Sequence, residues 1–318
     1  MINRKIGIFV FLLCLCFGLM PFQAMAAFTS DAVEPIIPEK ECSLTVSYRI
    51  GETRFDGADV NLYRVADVSE DFKYTLTQPF ASSGLVFDGI RTLGEWDVVR
   101  STLETHIVAH NISPDCTSVT NGDGQANFGM QKTGMYLATI GKTEKDGLRY
   151  QFDSALIALP GLGTDGRWQY QLSVNAKGEV LPPINPDEKT EFKVIKLWRG
   201  DEGRNDRPNS IEVDIFCDGI KYKNVILSEE NNWAYSWSAR NDGSRWTVAE
   251  RNVRAGYTVT VEQRSSTFVL TNSWTPPTPE EPVKPPQTGD TSNIMLYVLL
   301  MVGSGTMLII LGVIKRKK

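Results

Sequence analysis

The feature that most constrains the fold is an apolar residue at every second position along short stretches in the second half of the chain. Such alternation places apolar side chains on one face of a β-strand and polar side chains on the other. The stretches are Ile211-Val213-Ile215-Cys217, Trp233-Tyr235-Trp237 and Tyr257-Val259-Val261. Because helical spacing is absent from this region, the pattern predicts a β-sandwich.

The first half of the chain shows the same alternation in two stretches, 42–48 and 168–174. Between them, Trp96, Val99, Leu103 and Ile107 recur at helical spacing, which predicts one inserted helix over residues 94–110. The predicted fold class is therefore all-β, with two immunoglobulin-like or transthyretin-like sandwich domains, the first of which carries the helix.

Both ends of the chain have the composition of processing segments. Residues 1–26 combine Arg4 and Lys5, an apolar stretch and a small-x-small site at 24–26, which predicts a cleaved signal peptide. Residues 294–314 contain no charged side chain and precede four basic residues, which predicts a membrane-spanning helix with a cytoplasmic tail.

Proline-rich breaks divide the remainder of the chain. The predicted order is a signal peptide at 1–26, an extension at 27–40, a first β domain at 41–178, a linker at 179–190, a second β domain at 191–274, a proline-rich stalk at 275–284 and a sorting segment at 285–318.

Three polar residues of the second domain have the parity of core residues. Lys196 alternates with Phe192, Val194 and Trp198; Glu250 shares its parity with Trp246 and Val248; and Asn272 shares its parity with Phe268, Leu270 and Trp274. All three are expected to face the core. Burying a lysine or a glutamate is costly unless the charge is paired or neutralised, so the three residues call for a joint explanation.

Two interpretations fit this trio. The first is a buried Lys–Glu ion pair to which the asparagine is hydrogen-bonded. The second is a covalent isopeptide bond between Lys196 and Asn272, with Glu250 as the group that shuttles the protons. Burial lowers the pKa of a lysine and raises that of a glutamate, so a neutral amine would attack the carboxamide and release ammonia.

The motifs around the trio resemble the collagen-adhesin B-type (CnaB) domain over nearly all of residues 191–274. They are Val194-Ile195-Lys196-Leu197-Trp198, Arg207-Pro208-Asn209-Ser210-Ile211, Leu227 to Trp233, Thr247-Val248-Ala249-Glu250, Gly256-Tyr257 and Leu270-Thr271-Asn272. The resemblance implies the isopeptide bond, with Lys196 and Asn272 as the linked residues and Glu250 as the catalytic residue.

The first domain resembles the N-terminal domains of Gram-positive pilin-type surface proteins, in Ser43 to Val46, Leu62 to Asp67 and Thr133 to Leu137. Ser47 and Tyr48 occupy the region where the resemblance would place a first-strand lysine, so no isopeptide bond is expected there. Val174-Asn175-Ala176-Lys177 is similar to the pilin motif whose lysine accepts the next subunit. Lys177 is a candidate intermolecular acceptor, and an ordinary surface lysine fits the sequence as well.

Residues 285–290 resemble the cell-wall sorting signal of Gram-positive bacteria, with Pro285 in place of the usual leucine. The resemblance implies that a sortase cuts between Thr288 and Gly289 and joins Thr288 to a peptidoglycan cross-bridge or to a lysine of a neighbouring pilin. An ordinary single-span membrane anchor is the alternative. On the sorting interpretation the chain is in the membrane only before sorting.

Several other patterns suggest sites. Residues 121–124 read Asn-Gly-Asp-Gly and predict a turn, because the acidic ligands of a calcium loop do not follow. His106 and His110 predict a pair on the helix surface rather than a metal site, because no third ligand is evident. Arg199-Gly200-Asp201 spells an integrin-binding tripeptide, although three-residue motifs arise often by chance.

Of the three cysteines outside the predicted signal peptide, Cys42 and Cys116 fall in one domain and could pair, although an odd number argues against a disulfide framework. The net charge of −5 implies neither nucleic acid nor an anionic surface as a partner, and no cofactor or metal is expected.

The sequence therefore predicts an exported, wall-anchored surface protein of a Gram-positive bacterium with a structural or adhesive role. The leading interpretation is a minor or basal pilus subunit, and the alternative is a free-standing adhesin that binds a host matrix protein. A wall-bound enzyme, with a site hidden in the first domain, is the alternative from a different class. Apart from the single intramolecular reaction, no enzymatic activity is expected.

Overall fold

The structure is a computed structural model that describes residues 34–185, 187–202 and 207–274. The predicted signal peptide, stalk and sorting segment lie outside the described residues, as do Thr288 and Gly289. Within the described part of the chain, no helix is long and apolar enough to span a membrane.

The first sandwich is built from many short strands and two helices. Its strands are β1 (Cys42–Ser47), β2 (Arg49–Ile50), β3 (Thr53–Arg54), β4 (Asp59–Val68), β5 (Tyr74–Leu76), β6 (Cys116–Val119), β7 (Gln125–Gln131), β8 (Gly134–Ile140), β9 (Thr143–Lys145), β10 (Leu148–Phe152), β11 (Ala155–Leu159), β12 (Gly161–Leu162), β13 (Trp168–Gln169), β14 (Gln171–Asn175) and β15 (Gly178–Val180). Its helices are α1 (Gln78–Ala81) and α2 (Leu93–His110).

Two sheets enclose the first apolar core. One has the strand order β14-β1-β7; the other has the order β11-β8-β4-β5, and β6 also pairs with β4. Alternation along β1 buries Leu44 and Val46 completely between the sheets, where they pack with residues such as Leu62 and Tyr136.

The outer face of the β4–β8 sheet is covered by α2, and together they form a second core. Tyr63 and Val65 of β4 pack there against Leu103 and Ile107 of the helix. A capping box starts the helix, because Thr92 accepts a hydrogen bond from the Glu95 backbone while the Glu95 side chain bonds the Thr92 backbone.

In its described residues, the second sandwich has seven strands and one short 3₁₀-helix. The strands are β16 (Lys189–Arg199), β17 (Ser210–Cys217), β18 (Ile220–Ser228), β19 (Ala234–Arg240), β20 (Trp246–Glu250), β21 (Tyr257–Arg264) and β22 (Thr267–Trp274), and the 3₁₀-helix is Glu229–Asn231. The first sheet has the order β19-β16-β22-β21 and the second has the order β18-β17-β20. Their facing sides enclose a third core that includes Val194, Val213 and Phe268.

Each sandwich pairs its first long strand in parallel with a strand near its end. In the first sandwich β1 pairs with β14, with Leu44 opposite Leu172 and Val46 opposite Val174. In the second, β16 pairs with β22, with Lys196 opposite Leu270. Parallel neighbours that are far apart in sequence are held together by contacts across the domain and not by a tight turn.

Helix α2 also packs against the second sandwich, so it lies between the two domains. Thr102 of the helix accepts a hydrogen bond from the backbone N–H of Val261 at 2.9 Å. Val261 belongs to β21, which is at the edge of its sheet, and covering an edge strand hides backbone groups that would otherwise pair with another chain.

These observations confirm the all-β fold class, including the helix inserted in the first domain. The Asn121–Gly124 segment is a turn, with Asn121 Oδ1 accepting hydrogen bonds from the backbone N–H groups of Asp123 and Gln125. Cys42, Cys116 and Cys217 are free thiols. Strand β16 begins at Lys189, before the predicted domain start at residue 191.

Candidate functional site

Lys196 lies on the core-facing side of β16, and none of its side-chain surface is exposed. The parity of the strand predicted this placement, since Val194 on the same face is also fully buried. Burial lowers the pKa of the Lys196 ammonium to about 8, although the carboxylates of Glu250 and Asp201 partly oppose this effect.

Glu250 closes the other side of the site from the end of β20, in the opposite sheet. Only 1% of its side-chain surface is exposed, and its Oε2 lies 2.9 Å from Lys196 Nζ. Its Oε1 accepts a hydrogen bond from Asn272 Nδ2 at 3.0 Å. The carboxyl group of Glu250 therefore contacts both other members of the trio.

Asn272 reaches the site from β22, the strand beside β16, and it is fully buried. It lies opposite Trp198 in the parallel register, two residues along the strand from the Lys196–Leu270 pair and on the same face. Among the described residues its buried Oδ1 has no hydrogen-bond partner. An unpaired buried amide oxygen costs free energy.

The walls of the site are aromatic. Trp198 follows Lys196 on the same face of β16, and the lysine Nζ lies 4.6 Å from its ring centroid. Trp233 and Tyr257 meet the Trp198 ring edge-on, at centroid distances of 5.4 Å and 5.3 Å. This apolar surrounding disfavours the ammonium form of the lysine, and a neutral amine is the nucleophilic form.

The integrin-type interpretation of Arg199-Gly200-Asp201 is not supported by the position of Asp201. The Asp201 side chain is fully buried and is paired with Arg207 in a bidentate arrangement, with distances of 2.8 Å and 2.6 Å. The Tyr257 hydroxyl also donates to this carboxylate at 2.9 Å. A carboxylate that is occupied in this way is not available to a receptor.

Sequence reasoning missed this second polar group beside the trio. Strand parity describes residues within strands, whereas Asp201 and Arg207 lie in the connection between β16 and β17. One sequence signal for this contact was present. Asp201 comes two residues after β16, which carries Lys196, and Tyr257 begins β21, which pairs with the Asn272 strand β22.

The helix histidines differ from the prediction of a surface pair. His106 is buried, and its Nε2 lies 3.0 Å from the Pro79 carbonyl oxygen and 3.4 Å from Ser82 Oγ. His110 remains exposed, with Nδ1 at 3.1 Å from the His106 carbonyl oxygen. His106 is buried because its face of α2 packs against Pro79 and Ser82. The helical spacing of the α2 sequence does not reveal such a contact.

Lys177 is exposed, between β14 and β15, as the parity of its strand predicts. Its backbone is anchored, because its carbonyl oxygen accepts a hydrogen bond from Asp153 at 2.8 Å. Within the described ranges, no group of three or more His, Cys, Asp or Glu side chains is arranged to hold a metal ion.

A family model, the Cna protein B-type domain, matches residues 192–273. A curated relative, the collagen adhesin of Staphylococcus aureus, is 25% identical over 214 residues, which are 58% of this chain and 18% of that protein. The chain therefore spans about a fifth of the length of this relative.

Solved structures with similarity include a single B repeat unit of the collagen-binding surface protein of Staphylococcus aureus, at 17% identity and a TM-score of 0.26, covering 74% of this chain and 99% of that one. The minor pilin of Streptococcus agalactiae is 16% identical, with a TM-score of 0.26 and coverage of 76% and 100%. The major pilin SpaD of Corynebacterium diphtheriae is 11% identical, with a TM-score of 0.27 and coverage of 76% and 99%.

The family match includes all three residues of the buried trio, and it ends one residue before the last residue of β22. Residues 192–273, which form most of the second sandwich, are therefore the part of the chain that matches the Cna protein B-type domain.

Proposed function

We propose that the second sandwich cross-links itself through an isopeptide bond between Lys196 and Asn272, and that the protein is a surface structural or adhesive protein. The observation that carries the proposal is the burial of the amine, the carboxamide and a carboxyl group that contacts both, at 2.9 Å and 3.0 Å. An ion pair alone would leave the buried amide oxygen of Asn272 unexplained.

The reaction begins with proton transfer from the Lys196 ammonium to Glu250. The neutral amine nitrogen then attacks Asn272 Cγ, and the protonated Glu250 stabilises the carboxamide oxygen of the tetrahedral intermediate once the amide has turned about its Cβ–Cγ bond. Glu250 then donates its proton to Nδ2 and, as a carboxylate again, takes the second proton from the attacking nitrogen. The Nζ–Cγ bond forms, the Cγ–Nδ2 bond breaks, and ammonia leaves.

A carboxamide is a poor electrophile, so the fold must provide much of the rate. The paired strands hold Lys196 and Asn272 as neighbours, and well-oriented intramolecular reactions reach effective molarities of about 10⁵ M or more. The lowered pKa of Lys196 adds a larger fraction of neutral amine at neutral pH.

The position of the bond suggests its role. It would join β16 to β22, the first and last strands of the second sandwich. A covalent tie between terminal strands prevents them from separating under tension, and such a property suits a protein exposed to shear on a cell surface.

The proposal includes export, wall anchoring and the partners predicted from the sequence. A sortase would join Thr288 to a peptidoglycan cross-bridge or to a lysine of a neighbouring pilin. The curated relative is named a collagen adhesin, which supports a surface role, with a host matrix protein as the candidate ligand.

The isopeptide bond is tested by the intact mass of the full chain and of its Glu250→Gln variant. The reacted wild type should be lighter than its sequence mass by about 17 Da, the mass of one ammonia, whereas the variant should retain its full mass. A matched control is Glu262→Gln, because Glu262 is paired with Arg264 at the surface of the same domain. Full mass in the wild type would contradict the proposal.

Assembly into a pilus is tested with Lys177, the exposed candidate acceptor. In the source bacterium, a pilus subunit should appear as a ladder of high-mass species on denaturing gels, and Lys177→Ala should collapse the ladder. Lys145→Ala is the control, because that side chain is partly exposed on the same domain. A wall-bound monomer without a ladder would instead favour the free-standing adhesin.

A further inference from the structure

A chain of contacts leads from the buried Asp201 to the amine of Lys196. Asp201 holds Arg207, whose guanidinium carbon lies 5.2 Å from the Trp198 ring centroid. It also accepts the hydrogen bond of Tyr257, whose ring contacts the same tryptophan. Trp198 in turn lies 4.6 Å from Lys196 Nζ.

We propose that Asp201, Arg207 and Tyr257 are positioning residues for the Lys196–Asn272 reaction, which hold Trp198 against the amine and balance the charge beside it. The proposal rests on the proposed function. Arg207 and Tyr257 lie against Trp198 and both bind Asp201, so we expect the three to act through Trp198 or through the electrostatic field of the ion pair.

The packing part of this role follows from the geometry of Tyr257. Its hydroxyl is fixed by Asp201, and its ring meets both Trp198 and Trp274 edge-on. Gly256 makes this possible, because its φ is +88° and a Cβ at that position would collide with the Trp274 ring. Trp198 is therefore held on more than one side.

The electrostatic part follows from the sign of each charge. The carboxylate of Asp201 favours the ammonium form and so raises the pKa of Lys196, in the same direction as Glu250. Arg207 opposes this effect, because its positive charge is paired with Asp201 at 2.6 Å. Arg207 therefore reduces the charge that Asp201 presents to the lysine, and burial is the largest influence on the pKa of Lys196.

Other titratable groups also surround the site. Glu250 faces Lys196 from β20, and Tyr257 at the start of β21 lies against Trp198. Glu250 also lines a cleft of about 250 Å³ together with His106 and His110 of α2 and with Arg251. These groups are unchanged in the variants of Asp201 and Arg207, so differences between those variants report on the ion pair.

The test measures how fast the full chain loses ammonia at different pH values. Chain recovered unfolded is refolded by dilution into buffers from about pH 6 to about pH 9, stopped with acid and weighed by mass spectrometry. Arg207→Gln exposes the amine to an unbalanced carboxylate, so its pH–rate profile should move to higher pH. A move of one pH unit would slow the reaction about tenfold at neutral pH.

Asp201→Asn should move the profile in the opposite direction, because it removes the carboxylate that favours the ammonium. The double variant Asp201→Asn/Arg207→Gln should return towards the wild-type profile. Arg207→Lys keeps the charge and should keep the wild-type pH dependence, even where looser packing lowers the maximal rate. Arg264→Gln is the control, since that arginine pairs with Glu262 at the surface.

The near-ultraviolet circular dichroism of the tryptophans reports whether each variant folds. Opposite shifts for the two single variants support the proposal, whereas shifts in the same direction or unchanged profiles in folded variants overturn it. If Arg207→Gln fails to fold, Asp201→Asn is compared with Arg207→Lys instead. A profile moved to lower pH in Asp201→Asn alone supports the proposal, and equal profiles in the two variants overturn it. A wild type that never loses ammonia overturns the proposed function and this inference together.

Discussion

The first sandwich joins β1 to β14 through apolar side chains, whereas the second places a lysine and an asparagine on the corresponding strands. Leu44 faces Leu172 across the first pair, and both contribute to an apolar core. Lys196 faces Leu270 across the second pair, and its amine meets Glu250 instead. The same parallel arrangement is therefore held together in two chemically different ways.

The first sandwich shows that packing alone can hold such a strand pair. A buried ion pair contributes little net stability, because desolvation offsets most of its attraction. The second sandwich nevertheless buries a lysine, a glutamate and an asparagine where the first uses leucine and valine. The polar trio is more easily explained by a reaction than by a need for stability.

The largest expected effect comes from Lys196→Ala, which would remove the proposed bond and also leave Glu250 buried without its partner. Breaking a buried ion pair costs about 3–5 kcal/mol in free energy of unfolding, and the loss of the cross-link adds to this cost. Calorimetry of the full chain should show the second sandwich unfolding first, at a much lower temperature than in the wild type. An unchanged unfolding profile would contradict this expectation.

Asn272→Ala separates the two contributions, because it removes the electrophile and leaves the Lys196–Glu250 pair in place. By analogy with a disulfide that closes a loop of similar length, the lost cross-link should lower the free energy of unfolding by about 4–5 kcal/mol. Denaturant unfolding measures the change. Asn224→Ala is a control, because that asparagine is exposed on the same domain. Equal stability of wild type and Asn272→Ala would argue against a covalent bond.

Leu44→Ala tests the apolar member of the comparison. Leu44 is fully buried between the sheets of the first sandwich, and such a truncation costs about 2–5 kcal/mol. The variant should destabilise the first sandwich and still lose one ammonia in the second, as shown by calorimetry and mass on the same sample. A failure to lose ammonia would mean that the reaction depends on the first domain.

The smallest expected effect concerns the contact between the sandwiches. Thr102→Val keeps the shape of the side chain but removes the acceptor for the Val261 N–H, at a cost of about 1 kcal/mol. Hydrogen exchange should become faster along β21 while the first core remains protected. Ser118→Ala is the control, because it removes a half-buried hydroxyl that donates a hydrogen bond within the first domain. Unchanged exchange at Val261 would show that the helix does not protect this edge.

The sequence predicted the trio because strand alternation is a local property. Lys196 and Asn272 share their faces with large apolar neighbours, so their burial follows from parity alone. The partners of Asp201 did not follow, because an ion pair with Arg207 and a hydrogen bond from Tyr257 depend on how a connection folds back over the sheet. No local period encodes such contacts.

The inserted helix illustrates the same limit. Its apolar spacing predicted the face that packs on β4 and β8, where Leu103 and Ile107 lie. Its second buried face carries Thr102, Thr105 and His106, and polar residues in a helix usually indicate solvent. Thr102 is buried by its contact with Val261 of the second sandwich, whereas His106 lies against Pro79 and Ser82 of the first.

A tryptic peptide map of the full-length wild type tests the cross-link most directly. Trypsin does not cut at a lysine whose amine is in an amide bond, so Lys196 should lie within an uncut peptide from Val194 to Arg199. We predict that this peptide is covalently joined to the peptide that begins at Ser265 and contains Asn272, with a combined mass lower by about 17 Da. Recovery of the two peptides separately, with cleavage after Lys196, would contradict the cross-link between the terminal strands.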